Sequence, residues 1–182
     1  MSKVSPNETF PAVFLDRDGT LMRDVDYCGD PGKVEVFNGV TESLRRLKGN
    51  GYKLIIITNQ SGLGRGYFNA EQYQAVQAEL LRQVGANLID ATYMCPDTPD
   101  TGSKRRKPSP EMIFEAAREH NLDLARSIFV GDKKSDIDCG RNAGVKTLLV
   151  RTGYGEGVDK GVADFVGTDL KQAVDLILGA IS

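Results

Sequence analysis

The run Leu54-Ile55-Ile56-Ile57 constrains the fold more than any other stretch of this chain. Four consecutive branched apolar residues leave no polar face for water, so a strand built from them has to be covered on both sides and suits the centre of a sheet. Ala12 to Leu15, Leu88 to Met94, Ile128 to Val130, Thr147 to Val150 and Asp164 to Val166 are further short strand candidates. Amphipathic stretches separate them. Asn38 to Lys48 places Val40, Leu44 and Leu47 on one helical face, with Gly49 and Gly51 as stops. Asn69 to Val84 begins on an Asn cap, a third helix carries Pro110 in its first turn, and Ser135 to Ala143 and Asp169 to Leu178 complete the set. Strands alternating with helices predict an α/β fold: a three-layer α/β/α sandwich on a mainly parallel, Rossmann-like sheet, with chemistry at the carboxyl ends of the strands. No repeat or linker divides the 182 residues, so 1–182 is expected to form a single domain with residues 1–10 as a flexible tail.

Composition narrows the function classes. Hydrophobic content of 40% and charged content of 26% are ordinary globular values. A net charge of −2 gives no basic field for nucleic acid or a membrane surface. No apolar run approaches the roughly 18 residues of a membrane span, and Met1 to Phe10 lacks an apolar signal core, so a cytoplasmic location is expected. Three dispersed cysteines, Cys28, Cys95 and Cys139, fit a reducing compartment. A single histidine, His120, argues against His-rich metal sites and Ser-His-Asp chemistry. A monomer is the default.

Polar residues follow three of the apolar runs directly: Asp16-Arg17-Asp18-Gly19-Thr20, Thr58-Asn59-Gln60-Ser61 and Gly131-Asp132-Lys133-Lys134-Ser135-Asp136. If the strands are parallel neighbours, these groups open on one edge of the sheet. Asp16, Asp18 and Asp132 would then converge, and like charges so close require protons or a cation; an open half-shell of carboxylate oxygens suits magnesium. Any one of these pieces alone is ordinary, since loop aspartates cap turns and nucleotide-sugar enzymes also carry Asp-x-Asp. Their joint occurrence, each at a strand end, points to phosphate monoester hydrolysis. A carboxylate nucleophile, Asp16, would form an acyl phosphate, and Asp18 would protonate the leaving oxygen and then take a proton from water. Thr58 would donate to a phosphate oxygen, Lys107 would supply positive charge, and Asp132 would complete a metal shell. Lys104-Arg105-Arg106-Lys107 precedes a helix start that favours anions, and Lys133 and Lys134 add charge, so the mouth suits a substrate with a second anionic group. Gly62-Leu63-Gly64-Arg65-Gly66 lacks a Gly-Lys-Ser/Thr ending and is not a P-loop. Asp24 to Glu35 nearly matches a calcium loop, but Cys28 falls on a ligand position and no helix precedes it.

These motifs, in this order, resemble those of the haloacid dehalogenase superfamily of phosphohydrolases: Asp16-Arg17-Asp18-Gly19-Thr20, Thr58, Lys107, and Gly131-Asp132 with Asp136. The spacing between them leaves no room for a large cap domain. Within the capless class the chain resembles the D-glycero-D-manno-heptose 1,7-bisphosphate 7-phosphatases, with histidinol phosphatases as near relatives. The resemblance implies Asp16 as nucleophile, Asp18 as general acid/base, and Mg2+ on Asp16, the Asp18 backbone carbonyl and Asp132. It implies substrate contacts at Asp24 to Tyr27, Thr58, Asn59, Gln60, Ser61, Arg65, Arg106, Lys107 and Lys133, with Asp136 behind them, paired to a lysine. The expected substrate is a small sugar bisphosphate; histidinol phosphate is the alternative, and a non-catalytic phosphate-binding or regulatory protein the second. The family often carries a zinc in the loop before Arg-Lys-Pro. Here only Cys95 is left, with Asp97, Ser103 and Arg105 at the other three ligand positions, so no zinc is expected.

Overall fold

The computed structural model describes residues 8–179. Six strands form one parallel sheet: β1 (Ala12–Leu15), β2 (Lys53–Asn59), β3 (Ala91–Cys95), β4 (Ile128–Gly131), β5 (Lys146–Val150) and β6 (Phe165–Gly167), in the order β3-β2-β1-β4-β5-β6. Helices α1 (Val40–Gly49), α2 (Ser61–Gly64), α3 (Ala70–Val84), α4 (Glu111–His120), α5 (Lys134–Ala143) and α6 (Leu170–Gly179) fill the connections.

Two cores explain why the strands are apolar throughout. The period of two in β1 sends Val13 and Leu15 to one face, where they meet Val40, Leu44 and Leu47 of α1, Val76 and Leu80 of α3, and Ala173 and Val174 of α6. Ala12 and Phe14 face the other way, onto Met112, Ile113 and Ala116 of α4 and Cys139 and Ala143 of α5. Ile55 and Ile57 of β2 side with Phe14, and Leu54 and Ile56 with Leu15, all fully buried. Truncating any of these isoleucines to alanine costs about 2–5 kcal/mol. The three layers expected from the alternation are therefore present.

Several boundaries move. β2 runs two residues beyond its apolar stretch because Thr58 and Asn59 stay in register with Met94 and Cys95. β3 starts at Ala91 rather than Leu88: Leu88 and Ile89 pack against the core, and the Asp90 carboxylate accepts the Leu54 N–H (2.8 Å). Pro110 sits just ahead of α4 rather than in its first turn. Ser61–Gly64, read as a glycine-rich turn, forms a short helix. Of the expected tail, residues 1–7 lie outside the described residues. Phe10 bridges to Leu122, and Arg126 donates to the Thr9 carbonyl, so the described end is tied down. Between β1 and α1 there are only isolated bridges and one 3-10 turn, so among the described residues no cap module interrupts that connection. None of the described helices is long and apolar enough to cross a membrane.

The topology fixes where the site lies. β2 pairs with one edge of β1 and β4 with the other, both parallel. The chain reverses its winding direction at β1, which opens a crevice at the carboxyl ends of β1, β2 and β4.

Candidate active site

Asp16, Asn59 and Asp132 follow or end those strands, and each is held by a different local device. The Asp16 N–H donates to the Val130 carbonyl, continuing the β1–β4 ladder by one residue. Gly19 takes φ +88 in the turn that follows, and a Cβ there would lie 2.2 Å from Asp132 Oδ2. Gly153, with φ +56, hems the same oxygen from the loop after β5 at the same distance, and the Tyr154 N–H donates to it (2.8 Å). Only glycine allows two backbones to come so close to one buried carboxylate.

Lys107 arrives from the segment before α4. The Asn59 carboxamide brackets it: Oδ1 accepts the Lys107 N–H (3.1 Å) and Nδ2 donates to the Lys107 carbonyl (3.2 Å). Its ammonium, almost fully buried, donates to Asp16 Oδ1 (2.7 Å) and the Ile57 carbonyl (2.8 Å), and lies 2.7 Å from Asp136 Oδ1. Asp136 stands in the first turn of α5, where its other oxygen accepts the Lys133 N–H (3.0 Å).

Oxygens of Asp16, Asp132 and Asp136 all lie within 4.8 Å of one another. At an effective dielectric of about 20, each ionised pair repels by at least about 3 kcal/mol, so three bare charges would offset much of a domain's stability. The charges respond accordingly. Burial, then Asp16 and Asp136, push Asp132 up to about 8. Burial and Asp16 push Asp136 up to about 6 against the pull of Lys107. Burial also opposes ionisation of Asp16, but Lys107 and Lys133 outweigh it and hold Asp16 below the usual carboxylate range. A buried set of hard oxygens with a proton affinity this high fits a small divalent cation, which would replace the proton.

The third carboxylate of the cluster is Asp136. Asp18, expected there, turns its side chain away: Arg17 grips it by Nε to Oδ2 (2.9 Å) and Nη2 to Oδ1 (3.1 Å). No sequence signal separates Arg17 from a surface arginine, yet it is fully buried.

Above the cluster lies a cavity of about 500 Å³. Asp16, Asp18, Asp24, Tyr27, Asn59, Gln60, Ser61, Arg106, Lys107 and Lys133 all line it, as the sequence led us to expect. Thr58 and Asp132 lie beneath it, buried. Arg65 is a correction: it is exposed at the end of α2 and lines no part of the cavity. Asp26, inside the expected Asp24 to Tyr27 stretch, lines it too, and so does Tyr154, which sequence reasoning missed. Lys133 Nζ pairs with Asp24 (3.0 Å) and lies 4.8 Å from the Tyr154 ring centre, while the Tyr154 hydroxyl reaches Asp26 (3.3 Å). Asp26 and Tyr27 both hold positive φ, 40 and 54, so the Asp24–Tyr27 loop is strained where it borders the mouth.

The positions read as a lost zinc site do come together. Cys95 Sγ lies 3.5 Å from Asp97 Oδ2 and 3.6 Å from Ser103 Oγ, which accepts the Arg105 N–H (3.2 Å). The donor set is one thiol, one carboxylate, one hydroxyl and one guanidinium, and it does not fit zinc. Arg105 instead reaches Glu115 through two donors (2.8 and 2.6 Å) and the Met94 carbonyl (2.9 Å), and Arg106 donates to the Asp97 carbonyl (2.9 Å). Two arginines thus cross-link the loop.

Comparison with known proteins gives the chain's family. Residues 104–173 match the family model described as HAD-hyrolase-like. The chain is 39% identical to the D-glycero-D-manno-heptose-1,7-bisphosphate 7-phosphatase of Thermosynechococcus vestitus, over 92% of this chain and 95% of that one. It belongs to the haloacid dehalogenase-like hydrolase family. Another member, the D-glycero-beta-D-manno-heptose-1,7-bisphosphate 7-phosphatase of Helicobacter pylori, is 42% identical over 79% of this chain and 84% of its own length. Among solved members of the family, the D,D-heptose 1,7-bisphosphate phosphatase of B. bronchiseptica, complexed with magnesium and phosphate, superposes with a TM-score of 0.84 at 32% identity. That match covers 93% of this chain and 99% of the other.

Proposed function

We propose that this protein is a Mg2+-dependent phosphatase that removes the 7-phosphate of D-glycero-D-manno-heptose 1,7-bisphosphate through an aspartyl-phosphate on Asp16. The observation that carries the reading is the single buried cluster in which Lys107 pins one oxygen of Asp16 beside two carboxylates pushed up to about 8 and about 6. A carboxylate kept ionised by Lys107 and Lys133 is a competent nucleophile, while its neighbours hold a place for a cation. Asp16, Asp132 and the Asp18 carbonyl would hold Mg2+, which supplies charge neutralisation to the transferring phosphoryl group. Lys107 fixes the attacking carboxylate and adds positive charge at the phosphoryl oxygens. Thr58 accepts a hydrogen bond from Gln60 Nε2 (2.9 Å), which leaves its hydroxyl proton for a phosphate oxygen. Asp18 gives a proton to the leaving sugar oxygen and later takes one from the attacking water. Arg106 and Lys133 at the mouth suit the second phosphate of a bisphosphate and disfavour the ammonium and imidazole of histidinol phosphate.

The test is phosphate release from both anomers of the heptose bisphosphate, from histidinol phosphate and from p-nitrophenyl phosphate, with and without Mg2+. The heptose should lead, leaving the 1-phosphate intact, and Asp16→Asn should release none. Preference for histidinol phosphate, or turnover in Asp16→Asn, would reject the reading.

A further inference from the structure

Arg17 is the largest fully buried side chain of the molecule's described residues and it is charged, an expense that packing alone does not justify. Its Nη1 has no hydrogen-bond partner, while Nε and Nη2 are both spent on Asp18. Tyr73 backs the guanidinium, with the ring centre 5.8 Å away. Gln60 closes the arrangement. Its Oε1 accepts from Arg17 Nη2 (3.0 Å), and its Nε2 donates to Asp18 Oδ2 (2.8 Å) and to Thr58 Oγ1 (2.9 Å).

Counting lone pairs separates the two oxygens of Asp18. Oδ2 accepts from Arg17 Nε and from Gln60 Nε2 and is full. Oδ1 accepts once, from Arg17 Nη2, and keeps one lone pair uncommitted. Asp18 borders the cavity with 15% of its side chain exposed, so the open position is within reach of a bound molecule. The same carboxamide that fills Oδ2 also turns the Thr58 hydroxyl outward as a donor.

We propose that Arg17 and Gln60 are positioning residues that make Asp18 Oδ1 the proton-carrying atom of the reaction. This rests on the phosphatase reading above, and it reassigns Gln60, expected to contact substrate, to a role exerted through Asp18 and Thr58. In the first step the Oδ1–H proton passes to the leaving sugar oxygen as its bond to phosphorus breaks and the Asp16–phosphorus bond forms. In the second, Oδ1 takes a proton from water as the water oxygen bonds phosphorus and the Asp16–phosphorus bond breaks. Asp18 is regenerated in its protonated form and one water is consumed. Without the cradle the carboxylate could rotate about its terminal torsion, which is broad for an aspartate, and the proton would leave the line of the departing oxygen.

A merely structural role and a proton-positioning role differ in their dependence on the leaving group. A sugar alkoxide needs a proton to depart, whereas p-nitrophenolate leaves without one. In single-turnover measurements of Asp16 phosphorylation, Gln60→Leu and Arg17→Lys should therefore slow departure of the sugar by on the order of 10- to 100-fold more than departure of p-nitrophenolate, with Asp18→Asn showing the same contrast more strongly, while hydrolysis of the common aspartyl-phosphate slows alike whichever ester formed it. Lys107→Met, which acts on the phosphoryl group itself, should depress both esters alike. Thermal melts identify any variant that fails to fold, and Gln60→Leu, which removes no charge, decides the question if Arg17→Lys does not. Equal slowing of the phosphorylation step by Gln60→Leu on the two esters, or no slowing, would overturn the cradle while leaving the phosphatase reading intact. Absence of phosphate release from both esters by the wild type would overturn both.

Discussion

Replacing Lys107 by methionine, a side chain of similar length without the charge, removes the only cation in contact with both Asp16 and Asp136 among the described residues. Both ion pairs are 2.7 Å long, and both sides of each are almost wholly buried. Breaking one buried pair by removing a partner costs about 3–5 kcal/mol, because the remaining charge has lost its compensation. The Ile57 carbonyl loses its donor as well. At about 2–4 °C per kcal/mol for a chain of this size, the metal-free variant should melt about 10 °C below the wild type. The deficit should depend on pH in a definite direction. Asp132 and Asp136 are pushed up to about 8 and about 6, so the stability they contribute is present when they are protonated and is lost as pH rises through those values. Protons can therefore stand in for the ammonium, and the gap between variant and wild type should narrow from pH 8 to pH 5. Mg2+ should raise the melting temperature of the variant by more than that of the wild type, since it meets a larger uncompensated charge. Calorimetry or circular dichroism melts in a chelator series over that pH range decide the matter. A variant melting within about 2 °C of the wild type at pH 8 without metal would refute the claim that Lys107 holds this cluster together.

In the wild type without metal, stability should fall as pH rises from about 4 to 8 and flatten when Mg2+ is added; a metal-independent profile would contradict a cation site at Asp16 and Asp132. Gly153→Ala drives a Cβ to 2.2 Å from Asp132 Oδ2 at a φ of +56, so Mg2+ titration of activity should show a weakened requirement curve and a lower plateau. Arg105→Ala cuts the loop's ties to Glu115 and the Met94 carbonyl; because that pair is partly exposed, it should lower stability by only about 1 kcal/mol. Limited proteolysis within 96–106 should nonetheless speed up, and KM for the bisphosphate should rise more than kcat falls. Unchanged proteolysis would show that the arginine cross-links do not order the loop.

Asp18 illustrates how far local reading carries. Its place two residues after Asp16, at the end of an apolar strand, was legible, and it does line the cavity. Its direction was not, because the partner that turns it is the neighbouring Arg17, whose complete burial depends on Tyr73 from α3 and Gln60 from beyond β2. Asp136 shows the converse. Its pairing with a lysine was expected, but that the lysine is Lys107 and that Asp136 joins the carboxylate cluster follow from its place in the first turn of α5 beside β4. Arg65 failed for a related reason: α2 interposes a helical turn that carries it out to solvent. Tyr154 had no signal at all, since its reach to Lys133 and Asp26 spans loops remote in the chain.

The sequence by itself determined the layers and the strand ends. Hydrophobic runs four or five residues long must be buried on both faces, and polar residues immediately after them must emerge at an edge. Only the tertiary structure decided which edges coincide, since the pairing of β4 with β1 rather than with β3 is a long-range choice that no local pattern encodes. It also decided the partner of each charge. In this crowded site most carboxylates are claimed by whichever cation the backbone brings within reach, Arg17 for Asp18, Lys107 for Asp16 and Asp136, and Lys133 for Asp24, while Asp132 is left to the Tyr154 N–H.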